Sequence, residues 1–246
     1  MSNMFSMPYT GAKKSMDEGL RKYMLSIYNL MTIALVISGV TAYAFMSVPA
    51  LTSLIYNVSP SGMISGHTGL GTVLMFAPIG IAMYFFWGSG RIDVRNAQML
   101  FWVYAALTGA SLSILGFIYT GASIAKTLFI TASSFGAMSI YGYTTKKDLT
   151  SMGSFLFMGV IGLLISSLVN MFLQSPALDF ALSFIGVLVF MGLTAYDTQR
   201  LKEIYYSAGG GEYAQRLAIV GAFTLYLDFI NLFLYLIRFL GVKKGE

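Results

Sequence analysis

Apolar residues fall along this chain in long blocks, at 23–47, 69–88, 97–119, 123–143, 151–172, 178–197 and 214–240, each bounded by turn residues or charge. A helix needs about 20 such residues to cross the roughly 30 Å hydrocarbon core of a bilayer, so each block is long enough to span. The pattern predicts an all-α integral membrane protein with seven transmembrane helices. The first block exceeds the apolar core of about 7 to 15 residues found in a cleaved signal peptide, and is read as helix one. Before it lies a polar arm, residues 1–22, carrying Lys13, Lys14, Asp17, Glu18, Arg21 and Lys22. Residues 23–240 form the transmembrane domain and 241–246 a short basic tail. No internal repeat is evident, so an inverted-repeat transporter is unsupported.

Composition narrows the class. The chain of 246 residues is 57% hydrophobic and only 10% charged, against about 25% charged in a soluble domain, and its mean hydropathy is +0.73. Little length remains for a separate soluble domain. Cysteine is absent, which excludes disulfides, thiolate metal sites and cysteine nucleophiles.

Loop charge supplies an orientation. With the N-terminus cytoplasmic, the inner segments carry Lys13, Lys14, Arg21, Lys22, Arg91, Arg95, Lys146, Lys147, Arg200, Lys202 and Arg216. The outer connections at 46–68, 120–126 and 173–177 carry only Lys126, as the positive-inside rule demands. The pI of about 9.3 therefore fits attraction to anionic lipid rather than to nucleic acid. The last block is discordant, because a full seventh span puts Arg238, Lys243 and Lys244 outside. Either six earlier spans set the topology, or the segment is re-entrant and returns inside, which requires that it be buried in protein.

Asp228 stands near the middle of the apolar stretch 217–237. A carboxylate at the bilayer centre costs about 2.5 to 3.5 kcal/mol on insertion scales, so such a residue faces the bundle interior and needs a partner. Asn231 follows on the same helical face. Asp197 closes the sixth block and is followed by Thr198, Gln199 and Arg200. A short loop containing Gly209, Gly210 and Gly211 makes helices six and seven antiparallel neighbours, so Asp197 and Asp228 can meet. Two carboxylates sharing a site cannot both ionise cheaply and titrate as a unit, as a proton-sensitive latch or a cation site would. The plainer readings are that Asp197 is a helix end in the headgroup zone paired with Arg200 or Lys202, and that Asp228 locks helix packing through a serine or a backbone group.

Other features carry less. His67, the single histidine, reads as a loop residue, and one histidine without cysteine makes no zinc site that does not rely on carboxylates. HTGLGTV and GGGEY lack the strand and helix context of a nucleotide fingerprint. Pro78 is expected to kink helix two, and Gly109 with Ser113 has the small-xxx-small spacing of a close helix contact.

The segments AYDTQRLKEIY, LYLDFINLFLYLIRFLG, SIYGYTTKKDLTSMGSFL and LVNMF resemble the transmembrane Bax inhibitor motif family in its bacterial branch, and the likeness extends over essentially the whole span plan. The resemblance implies six helices wrapped about a central seventh. It also implies an aspartate pair, matching Asp197 and Asp228, that acts as a pH-sensing latch over a calcium leak and offers candidate calcium contacts. Some relatives place near helix two an arginine that pairs with the helix-six aspartate; here FFWGSGRIDVR sets Arg91 beyond a Gly-Ser-Gly turn. The expected function is a pH-sensitive cation (calcium) leak in the bacterial inner membrane, with Asn231 and Arg91 as supporting residues, no enzymatic activity and no cofactor beyond the transported ion. The alternative is a non-transporting modulator that binds a membrane protease or a cell-death-related partner. An intramembrane aspartyl hydrolase ranks last, since YDTQ and LDFIN lack a glycine-rich setting.

Overall fold

A computed structural model of the chain describes residues 9–59, 64–88, 93–208 and 211–245. Helix α1 (Tyr9–Ser47) runs without a break from the polar arm into the first apolar block. Glu18 and Lys22 are four apart in sequence, the spacing at which opposite charges support a helix. There follow α2 (Pro49–Ile55), a two-stranded antiparallel hairpin β1 (Tyr56–Val58) and β2 (Ile64–His67), and α3 (Gly69–Gly88). The chain continues through α4 (Val94–Leu112), α5 (Leu115–Ile118), α6 (Gly121–Thr144), α7 (Thr150–Leu173), α8 (Pro176–Ala208) and α9 (Gly211–Leu240).

The blocks expected at 69–88 and 151–172 coincide with α3 and α7 to within a residue. Three departures have local causes. The segment 46–68, read only as a connection, holds α2 and the hairpin: Pro49 is pre-set for the first helical turn, and the Thr52 hydroxyl donates to Phe45 O at 2.7 Å. The block 97–119 is split, because Ser113 tightens the chain by donating its hydroxyl to Ala110 O at 2.6 Å. The sixth block does not end at Asp197, since α8 continues through QRLKEIYYSA, a run of residues that mostly favour helix.

The protein is an integral membrane protein. Among the described residues five helical stretches are long and apolar enough to cross a bilayer: Glu18–Ser47, Val94–Ile118, Thr150–Leu173, Pro176–Ser207 and Tyr213–Leu240. The described apolar part of α3, Gly69–Phe85, is shorter. Hydroxyl residues dilute α6, and its buried stripe Ser123, Thr127, Thr131, Phe135 and Ser139 repeats every fourth residue. Small side chains at that spacing allow close helix approach.

Helix α9 is the most enclosed of the five, with 67% of its apolar window buried against 11% for α7. It packs on α8, α1, α6 and α4. Phe85 of α3 stacks on Phe223 at 4.4 Å, and Ser167 of α7 hydrogen-bonds Tyr235. Ala222, Phe223, Leu225, Tyr226 and Leu232 have no exposed surface, so a nearly continuous apolar helix here serves as a core rather than as a lipid-facing wall.

Side-chain contacts sort the connections to two ends. At one, Tyr23 lies 5.3 Å from Tyr205, and Lys202 Nζ donates to Tyr143 O at 2.9 Å. The start of α1, the α6–α7 connection and the close of α8 therefore lie together. At the other end the tail returns as backbone: Thr120 N donates to Val242 O at 3.1 Å and Lys244 N to Ile118 O at 2.9 Å. Lys244 Nζ reaches Gly116 O at 2.5 Å. Helix α9 thus runs from one end of the bundle to the other, and Arg238, Lys243 and Lys244 share an end with Lys126.

Candidate functional site

Helices α8 and α9 share the most extensive interface in the bundle. On α8 the residues Thr194, Asp197, Thr198 and Leu201 are all buried at the 3- and 4-residue spacing of one helical face. On α9 the corresponding stripe is Leu225, Asp228, Phe229, Leu232 and Leu236. Antiparallel pairing of these faces brings the two carboxyls into hydrogen-bonding contact with each other. Asp197 is 8% exposed and Asp228 4%, so the pair is closed off from solvent. No N–H or hydroxyl among the described residues reaches the buried Asp228 Oδ2, so Asp197 is the group that answers this carboxyl.

Asp197 is not a helix end. It stands three turns inside α8, with the Arg200 charge acting on it from the next turn. Lys202, its other suggested partner, is instead the donor to Tyr143 O.

The surroundings of the pair are held by residues that the sequence did not single out. Gln199 accepts from Leu149 N at 2.8 Å and donates through Nε2 to Lys147 O at 2.8 Å, clamping the α6–α7 connection to α8. Thr198 Oγ1 donates to Ser139 Oγ on α6 at 3.5 Å. Where these helices cross, Gly142 faces the backbone of Ala195, and a Cβ there would collide with it. The one available signal for Gln199 is its place in the polar run after Asp197, because its partners are backbone groups about 50 residues away in sequence.

The other candidates disperse. Asn231 Nδ2 donates to Leu227 O of its own helix at 2.8 Å. Arg91 lies outside the described residues. His67 is exposed on β2 with its ring 5.3 Å from Tyr56. Among the described residues no group of three or more His, Cys, Asp or Glu is placed to hold a metal ion. Gly109 meets the backbone of Ser38, as the small-residue spacing predicts. Helix α3 runs through Pro78.

A cavity of about 1280 Å³ opens beside the pair, between α1 and α6, with Phe229, Ile230 and Phe233 of α9 on its floor. Neither aspartate lines it, although Ser139 does and bonds Thr198.

The model of the family described as inhibitor of apoptosis-promoting Bax1 matches residues 20–245. The chain belongs to this Bax1-inhibitor family. Similarity to individual members is extensive. An uncharacterized protein of Rickettsia prowazekii is 58% identical, over 96% of this chain and 95% of its own length. A protein of Caulobacter vibrioides is 48% identical, over 97% and 96%. The inner membrane protein YbhL of Escherichia coli is 43% identical, over 92% and 94%. The match begins near Leu20, where the polar arm of α1 gives way to its apolar stretch, so the membrane bundle is the part shared with the Bax1-inhibitor family.

Proposed function

We propose that this chain is a pH-gated leak pathway for a cation, with calcium as the transported ion and the Asp197–Asp228 pair as the gate. The proposal takes seven crossing helices with α9 at the centre, the N-terminus in the cytoplasm, and a bacterial plasma membrane, in keeping with the name of the Escherichia coli relative. No catalytic role is assigned. The observation that carries it is the contact between two buried carboxyls on different helices. Such a contact needs a proton between them. With both groups ionised, like charges face each other; with both protonated, the charge that strengthens the bond is gone. The pair therefore holds α8 to α9 best when singly protonated, and the leak is smallest between its two titration steps, rising on either side. Calcium prefers oxygen ligands, and two facing carboxyls supply them once the shared proton has left.

A second reading has its own support. The cavity nearest the pair is apolar in its lining and includes neither carboxyl, as suits a non-transporting modulator of a membrane protease or a cell-death-related partner. Calcium flux into liposomes holding only the purified protein separates the two. Flux with a pH-dependent minimum that Asp197→Asn or Asp228→Asn flattens supports the leak. Absence of flux at every pH supports the modulator.

A further inference from the structure

We infer that the groove between α1 and α6 is the seat of a single glycerophospholipid, its acyl chains lying along the groove and its phosphate against Arg21. The cavity follows α1 from Arg21 to Met46, 25 residues apart in sequence and roughly 38 Å at about 1.5 Å per residue. A lipid headed at Arg21, whose chains reach the middle of the bilayer, thus fills the part of the groove nearer that residue with length to spare. Its walls are apolar over that length. Arg21 is the one charged residue among the described lining residues, and it stands where the apolar stretch of α1 begins, at headgroup level. A guanidinium at that depth is answered by a phosphodiester, and not by the apolar flank of a partner's helix. The groove, of about 1280 Å³, is open rather than enclosed, so acyl chains can enter it from the side.

Two glycines on opposing walls make the groove deep. At Gly39 of α1 and at Gly136 of α6 a Cβ would meet nothing within 4 Å. Packing against a neighbouring helix therefore does not explain either glycine. Both leave room for a chain that enters from the bilayer and reaches the floor at Phe229 and Phe233.

The test uses the full-length protein, extracted in mild detergent and presented with equal amounts of phosphatidylglycerol and phosphatidylcholine, read by native mass spectrometry. The wild type is expected to retain one phospholipid per chain, with the anionic lipid preferred about fivefold, the equivalent of the roughly 1 kcal/mol that one basic residue contributes near an anionic surface. Gly39→Leu and Gly136→Leu each displace at least two methylenes of acyl chain and should cut retention roughly tenfold while the helical circular dichroism is kept. Arg21→Gln should keep the bound lipid and lose the preference. Overturning results are no retained phospholipid on the wild type, retention unchanged in both leucine variants, or an added mass the size of a protein or of a second chain. If one leucine variant does not fold, the other together with Arg21→Gln still decides.

Discussion

At the residue scale the question is why a carboxyl sits at Asp228, in the middle of an apolar helix, and the answer is that it meets Asp197 rather than lipid. Asparagine at either position can donate its amide to the remaining carboxylate, so one hydrogen bond survives without a titrating proton. Asp197→Asn and Asp228→Asn are each expected to leave the protein folded and to flatten the pH profile of flux, and the double variant to add little to either. Additive effects would show the two carboxyls acting separately. Gln199→Ala is expected to cost about 2 kcal/mol, because it leaves Leu149 N and Lys147 O without their buried partner. A lower melting temperature in detergent, with α-helical content retained below it, would register this. Asp228 was legible in the sequence because charge in so apolar a setting has to be answered, and Asp197 because a short loop folds the sixth block back on the seventh. Gln199 was not, since a side chain bonded to distant backbone leaves no pattern of spacing.

At the element scale, hydropathy marks which stretches enter the bilayer but not where their helices stop. Helix α8 runs to Ala208 because its polar continuation favours helix and packs on α1, with Tyr205 against Tyr23. The division between α4 and α5 turns on the hydroxyl of Ser113, invisible to a pattern of apolar residues. Helix contacts in this bundle depend on small side chains, and two glycines allow a direct comparison. A side chain at Gly142 collides with the backbone of Ala195, which cannot move away as the end of a flexible side chain could. At Gly162 of α7 nothing lies within 4 Å. Gly142→Leu is therefore expected to push α6 from α8 and lose roughly 3 kcal/mol or more, whereas Gly162→Leu should be neutral or slightly stabilising, glycine being about 1 kcal/mol poorer than the best helix formers. Thermal unfolding of both variants in the same detergent checks the contrast.

At the scale of the whole molecule, the start of α1, the α6–α7 connection and the close of α8 share one end, and the tail is joined to the end that carries Lys126. With the N-terminus cytoplasmic, single cysteines at Ser2 and Ser151 should resist a membrane-impermeant thiol reagent applied to intact cells, while one at Gly245 should react. Labelling at Ser2 and Ser151 with protection at Gly245 would invert the molecule. The enclosure of α9 also bears on how the chain is made. This helix follows in sequence all the helices that surround it, so it arrives when they have already been synthesised. Asp228 then passes into a waiting protein interior that contains Asp197. In a permuted chain that delivered α9 first, the same carboxyl would meet hydrocarbon alone, at about 2.5 to 3.5 kcal/mol. The order of the helices, with the costly one after those that enclose it, is thus part of what lets this bundle assemble.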